Sequence, residues 1–491
     1  MTMRFFQSIA LTLALLCPCP AWCANPLSYF LSFFSSRQSW DLNRDGAIRI
    51  TLIAPEELGG NVRASLIAAD LERIISAETD LPIQVHHERI DTESIMGWFF
   101  NPRNTDSRQI LTDGSADLLL IAEKHAIVSQ YPEFHFEGVR AIANAAKAKK
   151  MRCMLLNTSN PTRNFRDRSS EKLTEISYRV GDGCGMEVVP VAPAWITTLK
   201  LNRLRGDSPV NARAYAYLAA ACVRSTFDNA VEIDGDAFVS DWTTAPLLRE
   251  LAASAFESVA EERAAIHYKG PFQGVVGVSG ETPRTVKIFA PSSGANDPVR
   301  RNFDALLNEA GISALWRSPE EWYRNGDDFY DASFDLVFGD TIQIGQLSNS
   351  LRYSSFYIKP EISHTPVTAM YTPIPAAETD KIAEKLESAL FSGYDYAREH
   401  HLRYIPLPLA WAKAVQENGE LARDSNSGDW FAYMLSSMLY TTLTGRWQPT
   451  TGSEKPLANS RVHPQGFHEL CSRIGHDTII GMASLQNRGN S

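Results

Sequence analysis

The octapeptide VVPVAPAW, Val188–Trp195, returns as YIPLPLAW, Tyr404–Trp411, 216 residues further along the chain. Each reads as a proline-containing strand ending on tryptophan. Beyond each tryptophan a second match keeps the same offset, YLAAACVRSTF (Tyr217–Phe227) against YMLSSMLYTTL (Tyr433–Leu443), and Tyr178 stands to Tyr394 in the same way. Upstream, RITLIAP (Arg49–Pro55) is similar to TVKIFAP (Thr285–Pro291) at an offset of 236, and ADLLLI (Ala116–Ile121) to FDLVFG (Phe334–Gly339) at 218. Ordered blocks whose offsets drift only in the intervening segments are the signature of an internal repeat. The chain reads as a tandem duplication.

Each copy follows one grammar. A β-branched strand ends at Ala-Pro and a helical stretch follows, Asn61–Ser76 in the first copy and Pro298–Gly311 in the second. An Asp-led apolar strand comes next, then a further helix and strand (Phe136–Lys150 and MRCMLLN in the first copy), the proline-containing strand, and a long Ala/Leu-rich helix. Each copy closes on an amphipathic helix, Ala245–Ala265 and His463–Ser484. Strands alternating with helices predict a mainly parallel sheet covered on both faces. The expected class is α/β, with two tandem three-layer α/β/α domains over residues 45–268 and 286–491. The Gly-rich stretch 269–285 reads as the linker between them.

A length of 491 residues fits two domains of about 200 residues each. The formal net charge of −10 provides no general basic field to hold nucleic acid. Residues 1–24 read as a secretory signal: Arg4 supplies the positive start, Phe5–Leu16 a short apolar run, and small residues follow, with cleavage after Ala21 or Cys23. The apolar run falls short of the roughly 20 residues a membrane helix needs, so no transmembrane segment is expected. Residues 25–44 read as an N-terminal segment, and the protein as periplasmic or secreted. Past the signal stand Cys153, Cys184, Cys222 and Cys471. Cys153 in a strand-like run and Cys222 in a helix-like one suit buried thiols, and a Cys153–Cys184 bridge is the alternative that export permits.

VAPAW with YLAAAC, PLPLAW with YMLSSMLYTTLTG, and SRVHPQGFHELCSRIGHDTI resemble motifs of the SGNH/GDSL-type hydrolases, closest to their secreted carbohydrate-esterase-like branch. DLLLIAEKHAIVSQYPEFHFEGVRAIANAAKAKK is similar to that family's second block and following helix. The resemblance spans both copies and implies flavodoxin-like domains. It also implies a serine after the first strand that attacks an ester, a histidine that takes its proton, and an aspartate three residues earlier that orients the ring.

Carried over position by position, the pattern breaks. In the first copy Asp207 is in place but Val210 stands where the histidine belongs, and in the second copy Arg423 and Asn426 hold those positions. Valine accepts no proton and a neutral amide is no general base. The nucleophile's place falls on Glu56 in the first copy and on Ser292, beside Ser293, in the second. Serines after a strand also cap helices and hold turns. Gly339 takes the oxyanion glycine's place, with Thr341 where an asparagine is expected. His463 imitates the family's last block, but Ser460 replaces its aspartate and the segment fits the closing helix better.

Asp41, Asn43 and Asp45 with Gly46 form the first half of an EF-hand-type calcium loop, making calcium the one metal candidate; Leu52 occupies the twelfth position, and an Asx-rich turn explains the pattern equally. The pairs His86-His87 and His400-His401 read as surface histidines, because adjacent side chains point apart. No cofactor is called for. The expected function is a catalytically degenerate binding or scaffold module for carbohydrate or acylated polysaccharide. The alternatives are an active serine acetylesterase using Ser292 and a periplasmic solute-binding protein.

Overall fold

The computed structural model describes residues 40–59, 61–101, 108–158, 169–200, 209–228, 249, 252, 274–279, 284–290, 297–317, 335–340, 367–371, 379–419, 428–447 and 466–487. The fold is α/β, built on two five-stranded parallel sheets. In chain order the first half runs β1 (Ile48–Ala54), the short hairpin β2 (Glu57–Gly59) and β3 (Val62–Arg63), α1 (Ala64–Ser76), β4 (Ile83–Arg89), α2 (Ile95–Phe100), α3 (Gln109–Asp113) and β5 (Leu118–Ile121). It continues through α4 (His125–Gln130), α5 (Pro132–Ala148), β6 (Arg152–Leu156), α6 (Ser169–Cys184), β7 (Glu187–Val189), α7 (Val191–Lys200) and α8 (Pro209–Asp228). The second half runs β8 (Thr285–Phe289), α9 (Pro298–Glu309), β9 (Ser313–Arg317), β10 (Leu336–Asp340), β11 (Val367–Tyr371), α10 (Thr379–Glu399), β12 (Arg403–Ile405), α11 (Leu407–Glu417), α12 (Gly428–Thr444) and α13 (Phe467–Asn487).

The sheet orders are β4-β1-β5-β6-β7 and β12-β11-β10-β8-β9. Read from the edge that holds the second major strand, both are 2-1-3-4-5, a doubly wound order that places the topological switch beside the first strand. Strand alternation shows why both faces are covered. Ile50, Leu52, Leu118, Leu120, Met154 and Val189 face α1 and α8, while Ile53, Leu119, Ile121, Leu155 and Val188 face α5 and α6. In the second half α9 packs on α12 as α1 packs on α8.

The two proline-rich octapeptides are not strands throughout. In VVPVAPAW the strand stops at Val189, Pro190 intervenes, and α7 starts at Val191; in YIPLPLAW the strand stops at Ile405, Pro406 intervenes, and α11 starts at Leu407. Proline has no N–H for a ladder but suits a helix's first turn. Trp195 and Trp411 therefore fall on matching turns of two helices, each 1% exposed. The first helix starts at Ala64 instead of Asn61, because Val62–Arg63 pairs antiparallel with Glu57–Gly59. The closing helix of the second half begins at Phe467. Of the first half's closing helix, Arg249 and Ala252 are described, both helical.

The middle of the glycine-rich connector is anchored. Val275 and Val276 are buried, the Val275 carbonyl accepts from Tyr404 N–H at 2.9 Å, and Ser279 N–H donates to Thr442 O at 2.7 Å. The halves also share one apolar cluster: Met96, Phe100, Ile127, Tyr131 and Phe134 of the first pack with Leu386, Leu390, Tyr394 and Trp411 of the second. Tyr131 stacks on Phe391 at 4.2 Å and donates its hydroxyl to Asp395 at 2.8 Å. Beneath it, Glu133 accepts from Val275 N–H at 2.8 Å and from the Tyr394 hydroxyl. Glu137 bonds Arg140 at 2.8 Å and Lys413 of the second half. Among the described residues no helix is long and apolar enough to cross a membrane.

Candidate functional site

In doubly wound sheets ligands bind outside the carboxyl ends of the strands, at the switch between the first strand and its neighbours. A cleft of about 510 Å³ opens at that place in the first half. Its floor and walls come from the end of β1 and the hairpin (Pro55–Gly59), the segment after β4 (Arg89–Glu93), and the segment after β5 (Lys124–Ala126).

Glu56 is its central carboxylate. It follows Pro55 directly after β1, where the chain must leave the sheet. One oxygen accepts the Ser65 hydroxyl at 2.7 Å and the other lies 3.4 Å from His87 Nδ1. His87 Nε2 lies 3.0 Å from the Ala54 carbonyl oxygen, which can only accept, so this nitrogen carries a proton and donates. Strand alternation splits the histidine pair: His86 turns to Glu88 at 3.2 Å on the exposed side, whereas His87, expected at the surface, turns inward with its side chain 11% exposed.

On the facing wall Lys124 Nζ bonds Glu93 at 2.7 Å, and His125 Nδ1 lies 3.2 Å from Leu58 O. Arg89 meets Asp91 at 3.3 Å at the mouth. Gly59 ends β2 with φ 136° and lets the His125 ring close on it, since a Cβ there would fall 2.3 Å from Nδ1.

Behind the cleft lies a buried polar layer. The two oxygens of Glu123 accept N–H bonds from Ile95 at 2.8 Å and Lys124 at 3.0 Å. Burial pushes its carboxyl up to about 8, against the two backbone bonds that favour the anion. His135, 1% exposed, has Nδ1 4.0 Å from Glu123 Oε2, too far to bond, and burial lowers it to about 3. Among the described residues neither ring nitrogen of His135 has a hydrogen-bond partner. Both groups are therefore neutral near pH 7, a state that avoids the cost of an unpaired buried charge.

The sequence-selected site residues distribute differently. Ser292, Ser293, Asp207, Arg423, Asn426, Thr341, Ser460 and His463 lie outside the described residues. Val210 sits in the first turn of α8. Gly339 is buried near the end of β10, opposite Met370. The oxygens of Asp41, Asn43 and Asp45 are occupied by their own turn: Asp41 accepts from Asp45 N–H and Gly46 N–H at 3.1 and 3.0 Å, Asn43 from Asp45 N–H at 2.9 Å, and Asp45 from Ala47 N–H at 3.1 Å. Among the described residues no group of three or more His, Cys, Asp or Glu side chains is arranged to hold a metal ion. The calcium candidate thus has the bonding of an Asx turn, which cements the approach to β1.

Among the described residues no disulfide joins Cys153, Cys184, Cys222 or Cys471; burial raises Cys153, Cys222 and Cys471, the last to about 12. Sequence reasoning placed Glu56 at the right edge of the sheet. It missed Ser65, His87, Lys124 and His125, although Lys124 and His125 follow an Asp-led strand, where the switch-point rule looks for ligand groups. No family model matches the chain, and comparisons with curated proteins and with solved structures return no match.

Proposed function

We propose that the protein is an exported, catalytically degenerate tandem copy of the SGNH-type esterase module that acts as a carbohydrate-binding or scaffold protein. The cleft beside Glu56 is its ligand site. The observation that carries this reading is the bonding of Glu56. A carboxylate occupies the place after the first strand where the esterase pattern wants a serine, and the neighbouring imidazole donates to Ala54 O. His87 has one nitrogen committed as a donor and the other turned to a carboxylate, so it is not poised to deprotonate a hydroxyl. The matching 2-1-3-4-5 orders of the two sheets support descent from one duplicated three-layer domain.

The cleft's chemistry supports a neutral, hydroxyl-rich ligand. Lys124 is paired with Glu93 and Arg89 with Asp91, while Glu56 and Glu57 leave the lining net negative, which disfavours an anionic ligand. Carboxylates and an ammonium held this way present acceptors and donors to sugar hydroxyls. The shared core and buried bonds between the halves weigh against a hinged solute-binding protein, whose lobes must part.

The test is calorimetry with xylo-, cello- and chito-oligosaccharides, with and without O-acetyl groups, alongside p-nitrophenyl acetate hydrolysis. The expected result is oligosaccharide binding without turnover, weakened about tenfold (about 1.4 kcal/mol) by Glu56→Gln. Hydrolysis of p-nitrophenyl acetate that Ser292→Ala abolishes would establish the active-esterase alternative instead.

A further inference from the structure

The wall of the cleft formed by Arg89–Glu93 runs directly into α2, and the second half holds that junction. Glu387, midway along α10, reaches across with its carboxylate. One oxygen accepts from Glu93 N–H at 2.9 Å; the other accepts from Ser94 N–H at 2.8 Å and from the Ser94 hydroxyl. Ser94, fully buried, is the N-cap of α2, and its Oγ in turn accepts from Gly97 N–H at 3.1 Å. Glu123 takes the next N–H, that of Ile95. One carboxylate from each half thus satisfies the backbone at this turn, and Glu93 and Ser94 depend on the one from the second half.

Gly97 marks the approach as built. A Cβ at that position would lie 2.2 Å from Glu387 Cδ, so any larger residue drives the carboxylate out. On the cleft side, Glu93 crosses to Lys124 on the opposite wall at 2.7 Å. Its backbone is therefore fixed by the second half and its side chain by the far side of the cleft, and its position sets the gap between the two walls.

We infer that Glu387 is a positioning residue for the ligand cleft of the first half, and that the second half serves as the brace that keeps this cleft in shape. The inference rests on the reading of the cleft as a ligand site. It goes further in making binding a property of both halves, because the backbone of the Asp91–Glu93 wall has its carboxylate partner on α10. Removing that partner strands the buried Ser94 N–H and hydroxyl and turns the exposed Glu93 N–H to water, and a buried donor so stranded favours local opening.

The experiment uses the full chain with Glu387→Ala, Glu387→Gln and Gly97→Ala, and Lys385→Ala on the exposed side of α10 as control. Hydrogen exchange is followed at the amides of residues 93 and 94 without ligand, and affinity is measured for whichever oligosaccharide the unaltered protein binds. Glu387→Ala and Gly97→Ala are expected to raise exchange at those amides at least tenfold and to weaken binding by a similar factor. Glu387→Gln, which keeps one acceptor oxygen, should fall between, and Lys385→Ala should match the unaltered protein. Should Glu387→Ala fail to fold, Glu387→Gln and Gly97→Ala give the same readings. Unchanged exchange at 93 and 94 in folded variants overturns the brace, and faster exchange with unchanged affinity overturns the positioning role. If the unaltered protein binds no oligosaccharide, the binding function falls, and exchange alone decides whether the second half braces the wall.

Discussion

Asp117 and Arg49 exchange a pair of hydrogen bonds: Asp117 N–H donates to Arg49 O at 2.8 Å, and Arg49 N–H donates to Asp117 Oδ2 at 2.8 Å. In the second half Asp335 and Lys287 make the same pair, at 3.0 and 2.7 Å. The clasp sets the register of the third strand against the first, so Leu118 lies opposite Ile50 and Leu336 opposite Ile288. Arg49 thus corresponds to Lys287, two residues beyond the partner that the likeness of RITLIAP to TVKIFAP selects.

The two clasps differ in burial, and that difference is measurable. Asp117 is buried and also accepts from Leu42 N–H and Asn43 N–H, at 2.9 and 3.0 Å, whereas Asp335 is partly exposed. Asp117→Ala strands three donors and should cost about 2–4 kcal/mol, while Asp335→Ala should cost about 1 kcal/mol, since water can replace an exposed acceptor. Chemical denaturation of the two variants checks the ratio; equal losses would contradict the assignment.

The ion pair between Glu137 and Lys413 joins the halves in a buried setting, with Arg140 as a second partner. Burial alone would raise the Glu137 carboxyl, but Lys413 and Arg140 hold it below its ordinary value. Removing Lys413 leaves Glu137 held by Arg140 but costs a charge-assisted bond between the halves, so Lys413→Ala should destabilise by about 1.5–3 kcal/mol. The double variant Glu137→Gln, Lys413→Met should recover much of that loss. Because the halves share a core, unfolding of each variant should stay a single transition in calorimetry; two resolved transitions would mean that the halves melt independently.

The fold was legible because the signals behind it are local. Buried strands such as LLLI and β-branched IRITLIA read directly. The proline-rich octapeptides misled, because residues buried on all sides have no period to separate a strand from a helix's first turn. The cleft was legible only at Glu56, which a chain position fixes. His87 and Ser65 reach Glu56 through strand pairing and helix packing, and Glu387 reaches Ser94 from 293 residues away. Contacts of that range leave no trace in local pattern.

Gly59 predicts a coupled defect in the cleft. Its φ of 136° belongs to a region that side chains disfavour, and a Cβ there would strike the His125 ring. Gly59→Ala should therefore cost about 1–3 kcal/mol and also break the His125 contact with Leu58 O. A two-dimensional NMR spectrum of the imidazoles would show His125 shifted while His86, on the exposed face of β4, stays in place. An unmoved His125 signal would mean that the hairpin yields instead of the ring.

Glu123 gives the pH dependence. Its folded carboxyl is raised to about 8 from an ordinary 4.5, so the native state keeps a proton that the unfolded chain releases above 4.5. The stability this proton contributes is complete below pH 4.5, falls as pH rises from there to 8, and is exhausted above 8. A tenfold displacement of a proton equilibrium is worth about 1.4 kcal/mol, so the decline amounts to several kcal/mol. Glu123→Gln should lower stability at acid pH by about 1–3 kcal/mol, because its NH2 cannot accept both backbone N–H groups. The same variant should lose the decline between pH 5 and 8, so that the stability curves of variant and unaltered protein converge or cross as pH rises. Urea titrations at pH 5, 6, 7 and 8 measure the difference, and parallel curves would show that Glu123 is already ionised in the native state.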